Sequence, residues 1–376
     1  MSVNANQIKI KIIGIGGEGR NIINLFSFQD QNIELFEAQT DIKDFSGNEN
    51  VKQINLGQSV QFKGTAGEPW IGAQCVEDNE ELIKNIIKDT DLLILAAGAG
   101  GGTGSGATPI IAQYAQQMNI ATLAIISMPS EDIYGKSVRR KALQGLQNIK
   151  ESVNSYMVID YSDLSDSLDL PMTSLIELPG LIANNALNVL FDIIFEKMQS
   201  NIDFNTIKNM FLHGGQILIS SGQADEKDAV ANALVDEAER AKFITKSDHF
   251  AQMILHIESN NATGNQISEI RKSLFKRYNL DEENLLFKTA FQTDSQAKAG
   301  SIKIAYVLAE DNRNKQKNTT TNLDIKLSQN NINSQPEIVD EVDNAFNITS
   351  EMLLIDNDVH EEEKEEKNSP QVPIFN

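Results

Sequence analysis

The chain has 376 residues and predicts an α/β fold. The parts are a mostly parallel, Rossmann-like sheet, a long central helix, a smaller α+β domain and a disordered acidic tail. Three observations carry this. In the first half, β-branched apolar runs alternate with segments of helical spacing. Two of those runs end abruptly in glycine-rich turns. After Asp311 the composition shifts to Asn, Lys, Gln, Thr and Ser, a mixture that cannot bury enough apolar surface to offset its ordering entropy.

Taken in order, Ile8 to Ile13 reads as a strand entering the turn Gly14-Ile-Gly-Gly-Glu-Gly19. Ile22, Ile23, Leu25 and Phe26 then keep helical spacing over 21–28. A second strand, 91–97, enters the turn Gly98 to Gly106, and Pro109 is placed near the start of a helix reaching Met118. A third strand (121–127), a helix (137–152) and a fourth strand (156–160) follow. Strictly alternating strands and helices favour a parallel sheet covered on both faces. Residues 175–198 are helical and largely apolar, as in a buried central helix. Beyond it come a strand (216–220), a helix (225–242), a strand (250–258), a helix (265–278) and strands at 285–292 and 301–309. That order fits a small α+β unit. No internal repeat is visible.

Charge excludes one class of function. The chain carries 53 acids and 32 bases, a net charge of −21, whereas a nucleic-acid binder needs a basic face. From Glu337 onward 12 acids and 2 bases contribute −10, so the body carries −21 + 10 = −11. The lone cysteine, Cys75, cannot close an intramolecular disulfide, which suits a reducing cytoplasm. No signal peptide opens the sequence, and no apolar run approaches the roughly 20 residues of a membrane-spanning helix. The four histidines show no metal-ligand spacing.

Gly14-x-Gly16-x-x-Gly19 alone matches a dinucleotide fingerprint, with Glu34 at a plausible ribose-binding distance. A dinucleotide enzyme leaves the second glycine run, Gly98-Ala-Gly-Gly-Gly-Thr-Gly-Ser-Gly106, without a role. Two such turns, each between a strand and a helix, expose consecutive backbone N–H groups at helix N-termini, the chemistry that holds phosphates. Thr103 and Ser105 add hydroxyl donors. The expected phosphate-binding set is Gly16, Gly17, Glu18, Gly19, Arg20 and Asn21 from the first turn, with Gly101, Gly102, Thr103, Gly104 and Ser105 from the second. Only backbone N–H groups need face the phosphates, so the Glu18 side chain is expected to point to solvent or to a bound magnesium ion, with Arg20 offsetting its charge.

GGGTGSG followed by Ala-Thr-Pro resembles the signature of the tubulin/FtsZ family. The resemblance runs collinearly from about Ile8 to Asp311. It takes in Gln39-Thr40-Asp41, the loop Lys63-Gly-Thr-Ala-Gly-Glu-Pro-Trp-Ile-Gly72, the helix with Ala142 and Gly145, Asn201-Ile-Asp-Phe204 and Gln216-Ile-Leu-Ile-Ser-Ser-Gly-Gln-Ala224. It implies a nucleotide-binding domain over 1–174, a central helix over 175–200, a second α+β domain over 201–311, and a linker with acidic tail over 312–376. It adds Asp41, Thr65, Ala66 and Gly67 to the nucleotide site, Asp41 being either water- or magnesium-linked or a turn former. The ligand implied is GTP or GDP with Mg2+.

The activity implied is that of a cytoplasmic, division-site GTPase forming head-to-tail filaments. Asn201 and Asp203 of one subunit would complete the neighbour's active site. The departures bear on sugar and base recognition and on hydrolysis. The family's ribose-contacting Glu falls at Tyr134 and its nearby Arg at Val138, beside Arg139. The Asn beside the base falls at Tyr161, and the guanine-reading Asp near Leu181, with Asn184 and Asn185 close by. The subunit-reaching loop keeps Asn201 and Asp203 but has Thr206 in place of its second acid, which implies slow turnover. Asp203 also reads as a helix N-cap. An alternative is a non-hydrolysing, nucleotide-binding relative that regulates or co-assembles with a motif-complete FtsZ. The terminal Val372-Pro-Ile-Phe-Asn376 resembles a short form of the family's membrane-tether peptide, without direct membrane insertion.

Overall fold

A computed structural model describes residues 8–312 except 27–29, 31, 161, 163–170, 196–201, 226–227, 284 and 293–299. Asn201, Tyr161 and nearly all of the expected linker and tail lie outside the described residues.

In chain order the elements begin β1 (Ile10–Ile15), α1 (Gly16–Asn24), β2 (Ile33–Gln39), β3 (Lys52–Asn55), α2 (Pro69–Glu77), α3 (Glu80–Ile87) and β4 (Leu92–Gly98). Next come α4 (Gly102–Gln117), β5 (Ala121–Met128), α5 (Glu131–Tyr134), α6 (Lys136–Ser152), β6 (Ser155–Asp160) and α7 (Met172–Phe195). The second half holds α8 (Phe204–His213), β7 (Gly215–Ala224), α9 (Ala229–Ala241), β8 (Gln252–Ser259), α10 (Gly264–Arg277), β9 (Leu286–Gln292) and β10 (Ile302–Ala309). The ten strands form one sheet in the order β3-β2-β1-β4-β5-β6-β7-β10-β8-β9. It is parallel from β3 through β6, and β10 runs antiparallel to both its neighbours. The two halves join where β6 pairs with β7, parallel, at Ser155–Gly215 and Tyr156–Gln216.

The alternation of side chains along a strand explains the layering. Ile10 and Ile12 of β1 join α1, α7, α8 and the second-half strands in one apolar cluster. Ile13 and Ile15 point the other way, to a cluster built with α2, α3, α4 and α6. Both faces are covered, so β1, β4 and β5 are almost wholly buried and apolar. Lys11 is the exception on β1. Its Nζ donates to the carbonyls of Ile86 and Lys88 at 2.5 and 3.1 Å, satisfying the C-terminal end of α3.

Several expectations shift. The first helix starts inside the glycine turn, at Gly16, and α4 starts at Gly102, so Pro109 stands in its third turn rather than near its start. Glu34 lies on β2 and pairs with Lys52 of β3, which removes it from any sugar. Among the described helices α7 alone is long and apolar enough to cross a membrane. Leu187, Leu190 and Phe191 are fully buried in the first cluster, and it is a core helix.

His256 on β8 is 1% exposed, and its Nε2 has no hydrogen-bond partner. Burial, then the nearby Lys303 cation, pull its pKa down to about 4, with Asp192 opposing. The unfolded chain binds a proton near pH 6.5 and the folded chain does not until about pH 4, so stability falls as pH drops through that window. Between pH 7 and 5 this amounts to about 2 kcal/mol. His256→Gln is expected to flatten that part of the stability profile, as measured by urea unfolding at several pH values.

Candidate functional site

The strand order β3-β2-β1-β4-β5-β6 reverses direction in sequence between β1 and β4. At such a switch point the loops leaving neighbouring strands diverge and open a crevice at the strands' C-terminal ends. A cavity of about 350 Å³ lies there, lined by Gly16 and Gly17, by Gly98 through Gly104, and by the ends of β5 and α7. The N-caps of α1 and α4 are Ile15 and Gly101, and neither supplies a side-chain cap. The first-turn N–H groups of two helices are thus available to one cavity, with the positive ends of both helix dipoles.

The turns are held by contacts that only these residues permit. Gly100 has φ +96°, a left-handed conformation that favours glycine, and its N–H donates to Ser105 Oγ at 3.0 Å. A Cβ on Gly102 would stand 2.0 Å from Thr65 Oγ1 and 2.8 Å from the Glu68 nitrogen, so the 63–72 loop is docked directly on the second turn. Thr103 Oγ1 and Thr40 Oγ1 are 2.7 Å apart, and Gln39 Nε2 donates to the Gly16 carbonyl at 3.1 Å. These bonds tie β2, both glycine turns and the 63–72 loop into one unit.

Of the residues expected at the site, Gly16, Gly17, Glu18, Thr65, Gly101, Gly102, Thr103, Gly104 and Tyr134 line the cavity. Others serve its framework. Gly19 lets α1 press on β4, where a Cβ would stand 2.3 Å from the Ala96 carbonyl oxygen. Ser105 holds Gly100. Arg20 turns away, its guanidinium donating to the Asp44 carbonyl at 2.8 Å and to Asn21 Oδ1. Asp41 Oδ1 accepts from the Lys43 N–H at 2.9 Å, the turn-forming geometry. Ala66 and Gly67 follow Thr65 with positive φ but do not line the cavity. Arg139 is committed to Asp160, with bonds of 2.8 and 2.7 Å, and to the Pro129 carbonyl.

Glu18 does not point to solvent. Its stem packs where a Cβ on Gly98 would be, 2.7 Å from Glu18 Cβ, and its Oε1 is buried without a partner. Leu181 is exposed and away from the cavity, whose α7 end is Leu175, Ile176 and Pro179. Asn184 does not line it either, though its Oδ1 is buried and unpartnered. Sequence reasoning missed the wall made by Ser127, Pro129, Ser130, Ile133, Leu175, Ile176 and Pro179. Ordinary apolar and hydroxyl residues carry no motif, and only their place at strand and helix ends brings them together.

Asp203 lies elsewhere. It is the N-cap of α8, its carboxylate accepting from the Thr206 N–H at 2.9 Å and from Thr206 Oγ1 at 2.8 Å. These bonds hold its pKa below the usual carboxylate range, so it is ionised at neutral pH. Pro179 lines the cavity, and α7 runs a further 195 − 179 = 16 residues to Phe195, about 24 Å of helix at the standard rise. Lys208 of the helix that Asp203 caps pairs with Asp91 at 3.5 Å, at the N-terminal start of β4, whereas the cavity lies at that strand's C-terminal end.

Comparison with known proteins agrees with the fold. Residues 9–169 match the model of the Tubulin/FtsZ family, GTPase domain. Cell division protein FtsZ of Aquifex aeolicus is 31% identical over 232 residues, 60% of this chain and 63% of that protein. Cell division protein FtsZ 1 of Methanocaldococcus jannaschii is 28% identical over 60% of this chain and 64% of its own. The matches thus span just under two thirds of those relatives. Among solved structures, an empty FtsZ dimer from M. jannaschii superposes with a TM-score of 0.70 at 22% identity, covering 81% of this chain and 89% of that one. A GTPγS-bound protofilament of CetZ2 from Haloferax volcanii gives 0.65 at 16% identity, covering 81% and 94%. The two glycine turns fall within residues 9–169, the stretch similar to the Tubulin/FtsZ family's GTPase domain, and the chain has the fold of the FtsZ structures.

Proposed function

We propose that the chain is a filament-forming GTPase of bacterial cell division, acting in the cytoplasm at the division site. GTP or GDP would lie in the switch-point cavity, with its phosphates on the N–H groups of the Gly16–Gly17 and Gly101–Gly104 turns. No Lys or Arg side chain lines the cavity among the described residues, so the two helix dipoles and the N–H groups would carry anion binding from the protein side. Nor do three Asp, Glu, His or Cys residues come together as a metal site among the described residues. A Mg2+ ion would therefore rest on the phosphate oxygens and supply charge neutralisation.

One observation supports the shared active site: α8, which Asp203 caps, pairs through Lys208 with Asp91 at the N-terminal start of β4, while the cavity lies at that strand's C-terminal end. One copy cannot bring its own carboxylate to its own nucleotide, but a head-to-tail neighbour can. The neighbour's Asp203 would then orient the attacking water, positioning being most of what phosphoryl transfer asks of a protein. Asn201, outside the described residues, is proposed as its partner. Other partners proposed are a second FtsZ in mixed filaments and a membrane tether bound by the tail.

Pelleting with GTP, ATP or no nucleotide, with identification of the bound nucleotide, tests this. GTP-dependent polymer is the expected result. Polymer formed equally without nucleotide, or none under any condition, would overturn it.

A further inference from the structure

Glu18 is the one charged side chain lining the cavity among the described residues. It follows Gly17 directly, and its stem occupies the space that Gly98 leaves by lacking a side chain. It therefore touches both phosphate-facing turns. Its Oε1 is buried and unpartnered. Burial pushes its pKa up, opposed by Ser127 and Asn21 within reach of the carboxylate, and its charge is felt at the Tyr134 hydroxyl.

A buried acceptor without a donor calls for an explanation, and for a carboxylate lining a ligand cavity a hydroxyl of the ligand is one. In its ionised form a carboxylate only accepts, and phosphate oxygens, which bring no hydrogen and repel it, are then the wrong partner. In a nucleotide the group joined to the phosphates is the sugar, and the base lies beyond it. Ile133, Leu175, Ile176 and Pro179 give the cavity an apolar end suited to the flat base. Next to the phosphate turns, the available donors are the sugar hydroxyls. Vicinal hydroxyls offer two O–H donors to the two oxygens of a carboxylate, with the strength of charge-assisted hydrogen bonds.

We propose that Glu18 binds the ribose hydroxyls of the nucleotide and makes the site selective for ribonucleotides over deoxyribonucleotides. The proposal rests on the nucleotide-binding reading of the cavity.

The test is calorimetric titration of wild type, Glu18→Gln and Glu18→Gly with GTP, 2′-deoxy-GTP, 2′,3′-dideoxy-GTP and ITP, with and without Mg2+. Wild type is expected to bind GTP at least about tenfold more tightly than the dideoxy form, the size of a lost hydrogen bond to a charged group. In Glu18→Gly that ratio should fall to about one while the GTP-to-ITP ratio stays constant. Glu18→Gln, which keeps one acceptor, should fall between. A uniform gain of affinity for every nucleotide in Glu18→Gly would make Glu18 an obstacle to phosphates and overturn the proposal. So would a change confined to the GTP-to-ITP ratio, or one present only with Mg2+. No binding of any of these nucleotides to wild type would reject the nucleotide site itself, a failure visible before any variant is compared.

Discussion

Replacing Asp203 by alanine is expected to lower GTP turnover by about two orders of magnitude or more, the usual loss when a positioned polar group is removed. Nucleotide binding to the single subunit should be unchanged, because Asp203 does not line the cavity and the helix it caps meets the opposite, N-terminal end of β4. Asp203 also caps α8, and losing a cap costs about 1 kcal/mol. Asp203→Asn separates the two roles: asparagine caps equally well but carries no charge. Turnover should fall in both variants and helix stability in alanine alone. Thr206→Asp adds a second acid one turn further on the same face. It is expected to raise turnover despite losing the bond from Thr206 Oγ1 to Asp203. Phosphate release at matched polymer mass measures all three.

Blocking the second glycine turn is the other large effect. Gly101 has an extended backbone and open space where a Cβ would go, so Gly101→Val should fold normally and place its side chain at the cavity wall. Gly102→Val meets the Thr65 side chain and the Glu68 nitrogen, which forces the 63–72 loop off the turn; such overpacking costs about 1–3 kcal/mol. Both variants should lose nucleotide binding by calorimetry. Only Gly102→Val should also lower the midpoint of thermal unfolding without nucleotide. Retained binding in Gly101→Val would move the phosphates away from this turn.

The glycine turns were legible because backbone packed against backbone tolerates no other residue, as at Gly19 on the Ala96 carbonyl. The strands β1, β4 and β5 were legible because burial on both faces demands unbroken apolar runs. β2 was not. Its Glu37 is fully buried, and it belongs there because the Ser46 N–H and hydroxyl donate to its carboxylate from a turn nine residues away. Arg20 and Arg139 illustrate the same limit within the site. A cation near a nucleotide-binding motif reads as a nucleotide ligand until its actual partner, the Asp44 carbonyl or Asp160, is in view. The room for the Glu18 stem was not legible for a related reason, since sequence shows the charge but not the space that Gly98 vacates for it.

The central claim is that one subunit's cavity and another's Asp203 make a single active site. Phosphate release measured across a series of protein concentrations, with polymer mass followed in parallel, tests it most directly. Specific activity is expected near zero below an assembly threshold and to rise steeply above it, a rise lost in Asp203→Ala. A specific activity independent of concentration, or polymer that releases no phosphate in either wild type or Thr206→Asp, would contradict it.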